Sequence, residues 1–242
     1  MSDDVSRETA PSVPPLARRV FTSERLPLAV RYTELLATEG VVRGLIGPRE
    51  APRLWDRHIL NSAVLAEAVP ADASVCDIGT GAGLPGLVLA IARPDVRITL
   101  VEPLLRRTTF LSEVVDELGL THVTVRRGRA EDLHGVETFD VVTSRAVAPL
   151  ERLLGWSMPL VAPTGAMVAM KGQSATEEIA GAGSLLGWWR CATPEVLELG
   201  VGIVSPPTTA VRVSWADPSQ IGWPLAPDSR KRRSSRSRRS TK

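Results

Sequence analysis

A carboxylate followed by a glycine-rich turn occupies residues 77–86, which read Asp-Ile-Gly-Thr-Gly-Ala-Gly-Leu-Pro-Gly. A short apolar run precedes the turn, as expected of a buried parallel strand, and Leu84-Pro85 begins an apolar helix. Gly79, Gly81 and Gly83 permit positive φ angles and let a ligand approach main-chain N–H groups at the start of that helix. The segment therefore predicts a ligand-binding strand, turn and helix.

Two cofactors fit this turn. Read as Gly81-x-Gly83-x-x-Gly86, the segment satisfies the dinucleotide pattern. Asp77 favours S-adenosylmethionine instead, because a carboxylate at the strand end can receive an ammonium group or order the turn, whereas a pyrophosphate would be repelled. A strand, turn and helix without any ligand is the third interpretation.

Carboxylates at two further strand ends bear on the choice of cofactor. Glu102 ends the second predicted strand about 20 residues after the glycine turn, where ribose hydroxyls are held in both NAD and S-adenosylmethionine proteins. Ala130-Glu131 follows the third strand, where a carboxylate can accept a hydrogen bond from the exocyclic amine of adenine. This second carboxylate favours S-adenosylmethionine, although the segment Ala130-Glu131 could also be a helix N-cap.

Two cations lie at the ends of later strands. Arg145 follows Ser144 at the end of the fourth strand, where a guanidinium can hold a carboxylate or phosphate or stack on a base. Lys171 ends the fifth strand and is the only lysine before residue 231. A point charge at the ligand edge of a sheet suggests function, although one residue could be there by chance.

The elements that position these side chains alternate between strand and helix, which predicts an α/β fold with a seven-stranded, mostly parallel, Rossmann-like sheet. The predicted strands lie near residues 75–79, 97–101, 122–126, 139–144, 165–170, 195–200 and 208–214. The predicted helices between them lie near 84–92, 103–118, 149–157 and 174–186.

Four regions are predicted along the chain: a disordered N-terminus at 1–22, a helical cap at 23–70, the sheet domain at 71–216 and a disordered basic tail at 217–242. Within the cap, Arg57, His58 and Asn61 share a polar stripe of one helix. That stripe could contribute to a site or could be a solvated helix face.

Charge is distributed unevenly. Eight of the 29 Lys and Arg residues lie in 229–242, which leaves 21 basic against 27 acidic residues in 1–228. The two cysteines, Cys76 and Cys191, offer no disulfide framework or zinc spacing, so no metal is expected. Since no apolar run approaches the roughly 18 to 20 residues of a membrane span and no signal peptide is evident, we expect a cytoplasmic protein without membrane attachment.

The ordered set of motifs resembles the RsmG family, also called glucose-inhibited division protein B, and most closely its actinobacterial members. The resemblance covers roughly residues 40–180 and rests on segments 57–62, 77–86, 144–146 and 171–172. It implies a class I methyltransferase fold and methylation of guanine N7 in 16S ribosomal RNA. The resemblance implies that Gly79, Leu84, Ala130, Glu131 and Arg145 bind S-adenosylmethionine. With the residues of the turn and strand ends, the expected cofactor-binding set is Asp77, Gly79, Thr80, Gly81, Gly83, Leu84, Glu102, Ala130, Glu131 and Arg145.

The implied chemistry agrees with the candidate residues. Guanine N7 carries an in-plane lone pair and no proton, so methyl transfer needs alignment rather than a general base. We expect Arg145 to fix the cofactor or the target nucleotide and Lys171 to meet a phosphate or base oxygen. The expected partner is 16S ribosomal RNA within the 30S subunit or its precursor, and the expected oligomeric state is a monomer.

Three other functions remain open at this level. A small-molecule methyltransferase would favour a closed aromatic pocket, yet only 4% of the residues are aromatic. An NAD-dependent oxidoreductase would be stabilised by NAD instead of S-adenosylmethionine. A non-catalytic RNA-binding protein would not need the three carboxylates Asp77, Glu102 and Glu131.

Overall fold

The structure is a computed structural model that describes residues 12–222. Seven strands form one sheet in the order β3-β2-β1-β4-β5-β7-β6. Strands β1 to β5 run parallel, whereas β7 is antiparallel to both β5 and β6. The strands are Ser74–Ile78 (β1), Arg97–Glu102 (β2), Val123–Arg127 (β3), Phe139–Arg145 (β4), Val161–Lys171 (β5), Glu195–Leu199 (β6) and Thr208–Ser214 (β7). The predicted seven-stranded, mostly parallel sheet is confirmed.

Helices connect the parallel strands, as crossovers of parallel pairs require. The helices of the structure are Leu26–Leu35 (α1), Leu60–Ala63 (α2), Gly86–Ala92 (α3), Leu105–Glu117 (α4), Leu150–Ser157 (α5), Ala175–Gly181 (α6) and Gly183–Trp188 (α7). Of these, α3, α4 and α5 lie in the crossovers between parallel strands, α1 and α2 precede β1, and α6 and α7 lie between β5 and β6. The single helix predicted at 174–186 is therefore two, separated at Ala182 between two glycines, which have low helix propensity.

Strand β1 lies at the centre of the sheet, and its Val75, Cys76 and Ile78 are almost fully buried. Alternate side chains of the strand point to opposite faces, so Val75 joins the core on one face and Ile78 the core on the other. Burial on both faces explains why this run is almost continuously apolar.

The N-terminal cap adds short helical turns to α1 and α2. They are Leu36–Gly40, Pro48–Arg53, Leu54–Ile59 and Val64–Ala68. Tyr32 and Leu36 of the cap are fully buried in the same core as Leu87 of α3. The Tyr32 hydroxyl also donates to the carbonyl of Ala82 at 2.8 Å, so the cap holds the glycine turn directly.

The ends of the predicted disordered regions differ from the structure. Pro15–Arg19 forms a 3-10 helix, and Ala17 and Phe21 are buried. Phe21 packs into the core, although the polar and proline-rich residues around it led to a prediction of disorder. At the other end, Pro218–Gln220 forms a short turn capped by Asp217. The rest of the two predicted regions, 1–11 and 223–242, lies outside the described residues.

Candidate functional site

The glycine turn follows β1 directly and takes the backbone conformation that its sequence predicts. Gly79, Gly81 and Gly83 have φ angles of +68°, +63° and +104°. A Cβ atom on Gly83 would lie 2.4 Å from Leu87 Cδ1 and 2.8 Å from the Tyr32 hydroxyl, so only glycine fits there. Packing of Leu87 and Tyr32 against Gly83 therefore fixes the shape of the turn.

Asp77 is fully buried beneath this turn. Its Oδ2 accepts the N–H of Gly86 at 2.8 Å, which joins the end of β1 to the first residue of α3. Its Oδ1 has no hydrogen-bond partner among the described residues. Burial raises the pKa of Asp77 to about 7, although the nearby Thr80 hydroxyl and the Gly86 N–H oppose this rise. The carboxylate thus orders the turn and retains capacity for a cationic donor.

Glu102 supports the same turn from the neighbouring strand. Its Oε2 accepts the N–H of Gly81 at 3.1 Å and lies 3.3 Å from Nη1 of Arg107, while its Oε1 accepts the N–H of Leu104 at 3.1 Å. The side chain is only 2% exposed. Each carboxylate oxygen has more than one lone pair, so these contacts leave acceptor capacity for a ligand.

An apolar cavity of about 220 Å³ adjoins the turn. The residues lining this apolar cavity are Ile78, Gly79, Val101, Pro103, Gly128, Arg129, Ala130, Glu131, Val147 and Trp156. The fold therefore brings Gly79 together with Ala130 and Glu131, as the sequence predicts. Its apolar walls suit the faces of an aromatic base, and Glu131 adds a carboxylate to the lining.

A larger polar cleft of about 1020 Å³ opens between the cap and the ends of β4 and β5. Its lining residues are Glu50, Arg53, Asp56, Arg57, His58, Asn61, Arg145, Ala146, Val147, Ala148, Pro149, Leu153, Met170, Lys171, Gly172, Gln173, Glu178, Ser205, Pro206, Pro207, Thr208 and Thr209. Both predicted cations and the polar stripe of the cap meet here.

Arg145 is directed toward the cap. Its guanidinium donates to Nδ1 of His58, to the His58 carbonyl at 3.3 Å and to the Ser62 hydroxyl at 3.1 Å. Nε2 of His58 lies 2.9 Å from Oε2 of Glu50, whose Oε1 accepts from Arg57 at 2.9 Å. Since Nδ1 accepts from Arg145, the proton of a neutral His58 is on Nε2 and points to Glu50.

Lys171 lies in the polar cleft with its charge already paired. Its Nζ donates to Oε2 of Glu178 and to the carbonyl of Ala148, each at 2.7 Å, and its side chain is 7% exposed. The expectation that Lys171 meets a phosphate or base oxygen of the substrate stays a prediction. The structure adds a carboxylate partner that the sequence did not reveal.

Val147 lines both the apolar cavity and the polar cleft. It also covers the turn, because a Cβ atom on Gly79 would lie 3.0 Å from its Cγ2. The two spaces are therefore adjacent and share one side chain.

The predicted site residues divide into two groups. Gly79, Ala130 and Glu131 line the apolar cavity, and Arg145 and Lys171 line the polar cleft. The others support the turn without lining either space: Asp77, Thr80, Gly81, Gly83, Leu84 and Glu102. Binding of a cofactor by either group stays a prediction.

Sequence reasoning missed Glu50, Val147 and Glu178. Each acts through a residue that the sequence did identify: Glu50 through His58, Val147 through Gly79 and Glu178 through Lys171. The i to i+7 spacing of Lys171 and Glu178 could have signalled a pair across the short loop into α6. No comparable signal marks Val147.

These residues fit S-adenosylmethionine. The apolar cavity offers a place for the adenine, with Glu131 at its edge, and the buried Oδ1 of Asp77 lacks a donor that an ammonium group would supply. Among the described residues, no cluster of His, Cys, Asp and Glu could hold a metal ion, and no helix is long and apolar enough to cross a membrane.

The sequence matches the family model described as rRNA small subunit methyltransferase G over residues 25–186. A protein named ribosomal RNA small subunit methyltransferase G from a Nocardioides species is 70% identical over 226 residues, which cover 93% of this chain and 90% of that protein. The Streptomyces avermitilis protein of the same name is 57% identical over 204 residues, covering 84% and 85% of the two chains.

Solved structures show the fold. An O-methyltransferase from Bacillus cereus in complex with SAH aligns with a TM-score of 0.51 at 14% identity, covering 76% of this chain and 89% of that chain. A SAM-dependent O-methyltransferase from Thermotoga maritima aligns with a TM-score of 0.51 at 14% identity, covering 64% of each chain. The sheet thus has the architecture of class I methyltransferases.

Proposed function

Because the chain belongs to the rRNA small subunit methyltransferase G family, we propose that it transfers a methyl group from S-adenosylmethionine to N7 of a guanine in 16S ribosomal RNA. One observation carries this proposal beyond family membership. The apolar cavity beside the glycine turn adjoins, at Val147, a polar cleft that is large enough for a nucleotide.

Bound S-adenosylmethionine supplies an electrophilic methyl group on a sulfonium. Gly79, Ala130 and Glu131 would hold its adenine end in the apolar cavity, and Glu102 would accept hydrogen bonds from the ribose. The main-chain turn and the carboxylate of Asp77 would hold the amino-acid end. The rate enhancement would then come from alignment of the acceptor lone pair with the bound cofactor.

The polar cleft suits an acceptor that carries no proton. His58 and Glu50 form a pair that could act as a general base, but Nδ1 of His58 accepts from Arg145 and Nε2 faces Glu50. Neither ring nitrogen is therefore available to take a proton from a substrate. Guanine N7 needs no such group, whereas a hydroxyl acceptor would.

Arg145 positions the acceptor nucleotide. Burial lowers its pKa from the ordinary arginine value, yet a guanidinium remains charged at neutral pH. Its contacts with His58 and Ser62 fix the guanidinium plane at the edge of the polar cleft, where it orients the target nucleotide. The acceptor is an RNA of the 30S subunit or its precursor in the cytoplasm, and the enzyme acts as a monomer.

The test is transfer of labelled methyl from S-adenosylmethionine to 30S subunits prepared from cells that lack this protein. Nucleoside analysis of the extracted RNA should place the label in 7-methylguanosine. Naked 16S RNA, assayed in parallel, identifies the form of the substrate. Label in another nucleoside, or none in a protein that binds S-adenosylmethionine, would overturn the proposed acceptor.

A further inference from the structure

The partly buried ion pair between Lys171 and Glu178 spans the segment that follows β4. Lys171 ends β5, and its Nζ reaches across to the carbonyl of Ala148 as well as to Glu178. An ammonium group with a 7% exposed side chain and two oxygen partners at 2.7 Å has little freedom to reach a ligand. Its contacts point toward the protein's own backbone.

Glu178, which lies on α6, is hydrogen-bonded to the C-terminal end of the same segment. Its Oε2 accepts the N–H of Leu150 at 2.7 Å together with Lys171, and its Oε1 accepts the hydroxyl of Ser174 at 3.0 Å. Burial acts to raise the pKa of Glu178, but the hydrogen bonds from Lys171, Leu150 and Ser174 outweigh it and lower the pKa. The carboxylate is therefore ionised and paired at neutral pH.

The segment 146–149 between these anchor points carries Val147. Ala146 has a φ of +54°, a conformation that an alanine adopts only when surrounding contacts impose it. Ala148 and Leu150, on either side of Pro149, are the residues held by the ion pair. Val147 itself is 36% exposed and rests on Gly79 of the glycine turn.

We propose that Lys171 and Glu178 form a clamp that positions segment 146–149, so that Val147 closes the cofactor cavity against the acceptor cleft. This proposal rests on the proposed function, since it assigns the two spaces to cofactor and acceptor. Lys171 is then a positioning residue that acts on S-adenosylmethionine affinity through the backbone. It makes no contact with RNA.

The clamp and a direct RNA contact predict opposite results for Glu178→Ala. If Lys171 served the RNA, removing Glu178 would free its ammonium group, and the KM for 30S subunits would fall while cofactor affinity stayed the same. If the pair is a clamp, Glu178→Ala releases both Lys171 and the Leu150 N–H, and cofactor affinity falls. Lys171→Met releases the Ala148 carbonyl and gives the same result.

The experiment measures the Kd of S-adenosylmethionine by calorimetry, together with KM and kcat on 30S subunits, for the full-length chain and its variants. We expect Lys171→Met and Glu178→Ala each to raise the cofactor Kd at least about fivefold, the low end of typical coupling between sites. The double variant should lie within about twofold of either single variant, because both remove one interaction. Glu177→Ala, an exposed neighbour on α6, is the matched control.

Hydrogen exchange provides a second measurement. The Leu150 amide should exchange faster in Glu178→Ala than in Glu177→Ala, while thermal unfolding reports whether each variant is folded. If Lys171→Met does not fold, the cofactor Kd of Glu178→Ala still tests the clamp. An unchanged cofactor Kd with a changed KM for 30S subunits would overturn the clamp.

Failure of the proposed function gives a different pattern. If no variant, nor the parent chain, methylates 30S subunits, the acceptor is wrong, but the cofactor Kd and the Leu150 exchange rate still test the clamp. If 7-methylguanosine forms normally but the Lys171 and Glu178 variants have an unchanged cofactor Kd, the clamp is rejected and the proposed function stands.

Discussion

The guanidinium of Arg145 donates to Nδ1 of His58, whose Nε2 faces Glu50, so both nitrogens of the only imidazole among the described lining residues of the polar cleft are engaged. Burial lowers the pKa of His58 from 6.5, and the charges of Arg145 and Arg57 lower it further against the opposing effect of Glu50. Protonation would place an N–H on Nδ1, directly against Arg145.

This arrangement makes stability depend on pH. Because the folded pKa of His58 is below its unfolded value, the unfolded chain binds the proton first as the pH falls below about 6.5. The free energy of unfolding of the parent, relative to His58→Gln, should decrease on acidification from pH 7.5 to 5.5, by at most about 1.4 kcal/mol per pH unit. Urea unfolding of both proteins measures this difference; a constant difference would contradict a lowered pKa of His58 in the folded protein.

Replacing Arg145 should impair catalysis more than folding. Arg145→Lys keeps the charge but cannot contact both His58 and Ser62 with one planar group, so we expect methyl transfer to fall about 100-fold through misplacement of the acceptor. Arg152→Ala, an exposed arginine of α5 outside both cavities, is the control. Full activity of Arg145→Ala with unchanged cofactor affinity would refute the role of Arg145.

Asp77 should couple cofactor binding to proton release. Its folded pKa of about 7 exceeds the ordinary value of 3.8, so folding is favoured by this group at low pH and that contribution is lost as the pH rises toward 7. A cationic ligand favours the carboxylate form, so the Kd of S-adenosylmethionine should fall by up to about tenfold between pH 6 and 8. Asp77→Asn should bind S-adenosylmethionine more weakly, and its Kd should lack the pH dependence that Asp77 causes. Calorimetry of both proteins at several pH values separates this pH dependence from the titration of the ligand, which is the same for both.

Two glycines should respond oppositely to substitution by alanine. A Cβ atom on Gly86 would lie 2.3 Å from Leu100 Cδ2 and 2.7 Å from Asp77 Oδ2, so Gly86→Ala should cost about 1 to 3 kcal/mol of stability. Gly187 of α7 has nothing within 4 Å of such an atom, and Gly187→Ala should stabilise by about 0.5 to 1 kcal/mol. Denaturant unfolding checks both; equal effects would contradict the packing at Gly86.

The basic tail should provide attraction for RNA that does not depend on sequence. Residues 229–242 carry eight positive charges and no acid, whereas the rest of the chain is acidic. Deleting them should weaken RNA binding and flatten the dependence of log K on log salt concentration, because fewer counterions are released. An unaltered salt slope would show that the tail does not contact the RNA.

The sequence was sufficient to predict the strands because they are rich in apolar residues, and six of the seven end at, or immediately before, a glycine or a charged side chain. All seven predicted strands overlap those of the structure, and the glycine turn follows β1 as predicted. The burial of Phe21 was not predictable from local composition, since it depends on contacts made by distant elements.

The contacts between distant residues of the site could not be predicted from the sequence either. The pairing of Arg145 with His58 joins residues 87 positions apart, and the pairing of Lys171 with Ala148 depends on the path of the chain after β4. Periodicity places a side chain on an element, but the packing of elements decides which charges are neutralised. The sequence could therefore identify the cations of the site but not their partners.

Tyr32 is the only tyrosine in the chain, and its hydroxyl donates to the Ala82 carbonyl within the glycine turn. Incorporation of 3-fluorotyrosine would consequently place a single fluorine nucleus against the turn, with no need to assign competing resonances. One ¹⁹F spectrum of the free protein, compared with one recorded in the presence of S-adenosylmethionine, would then report whether the turn changes when the cofactor is added.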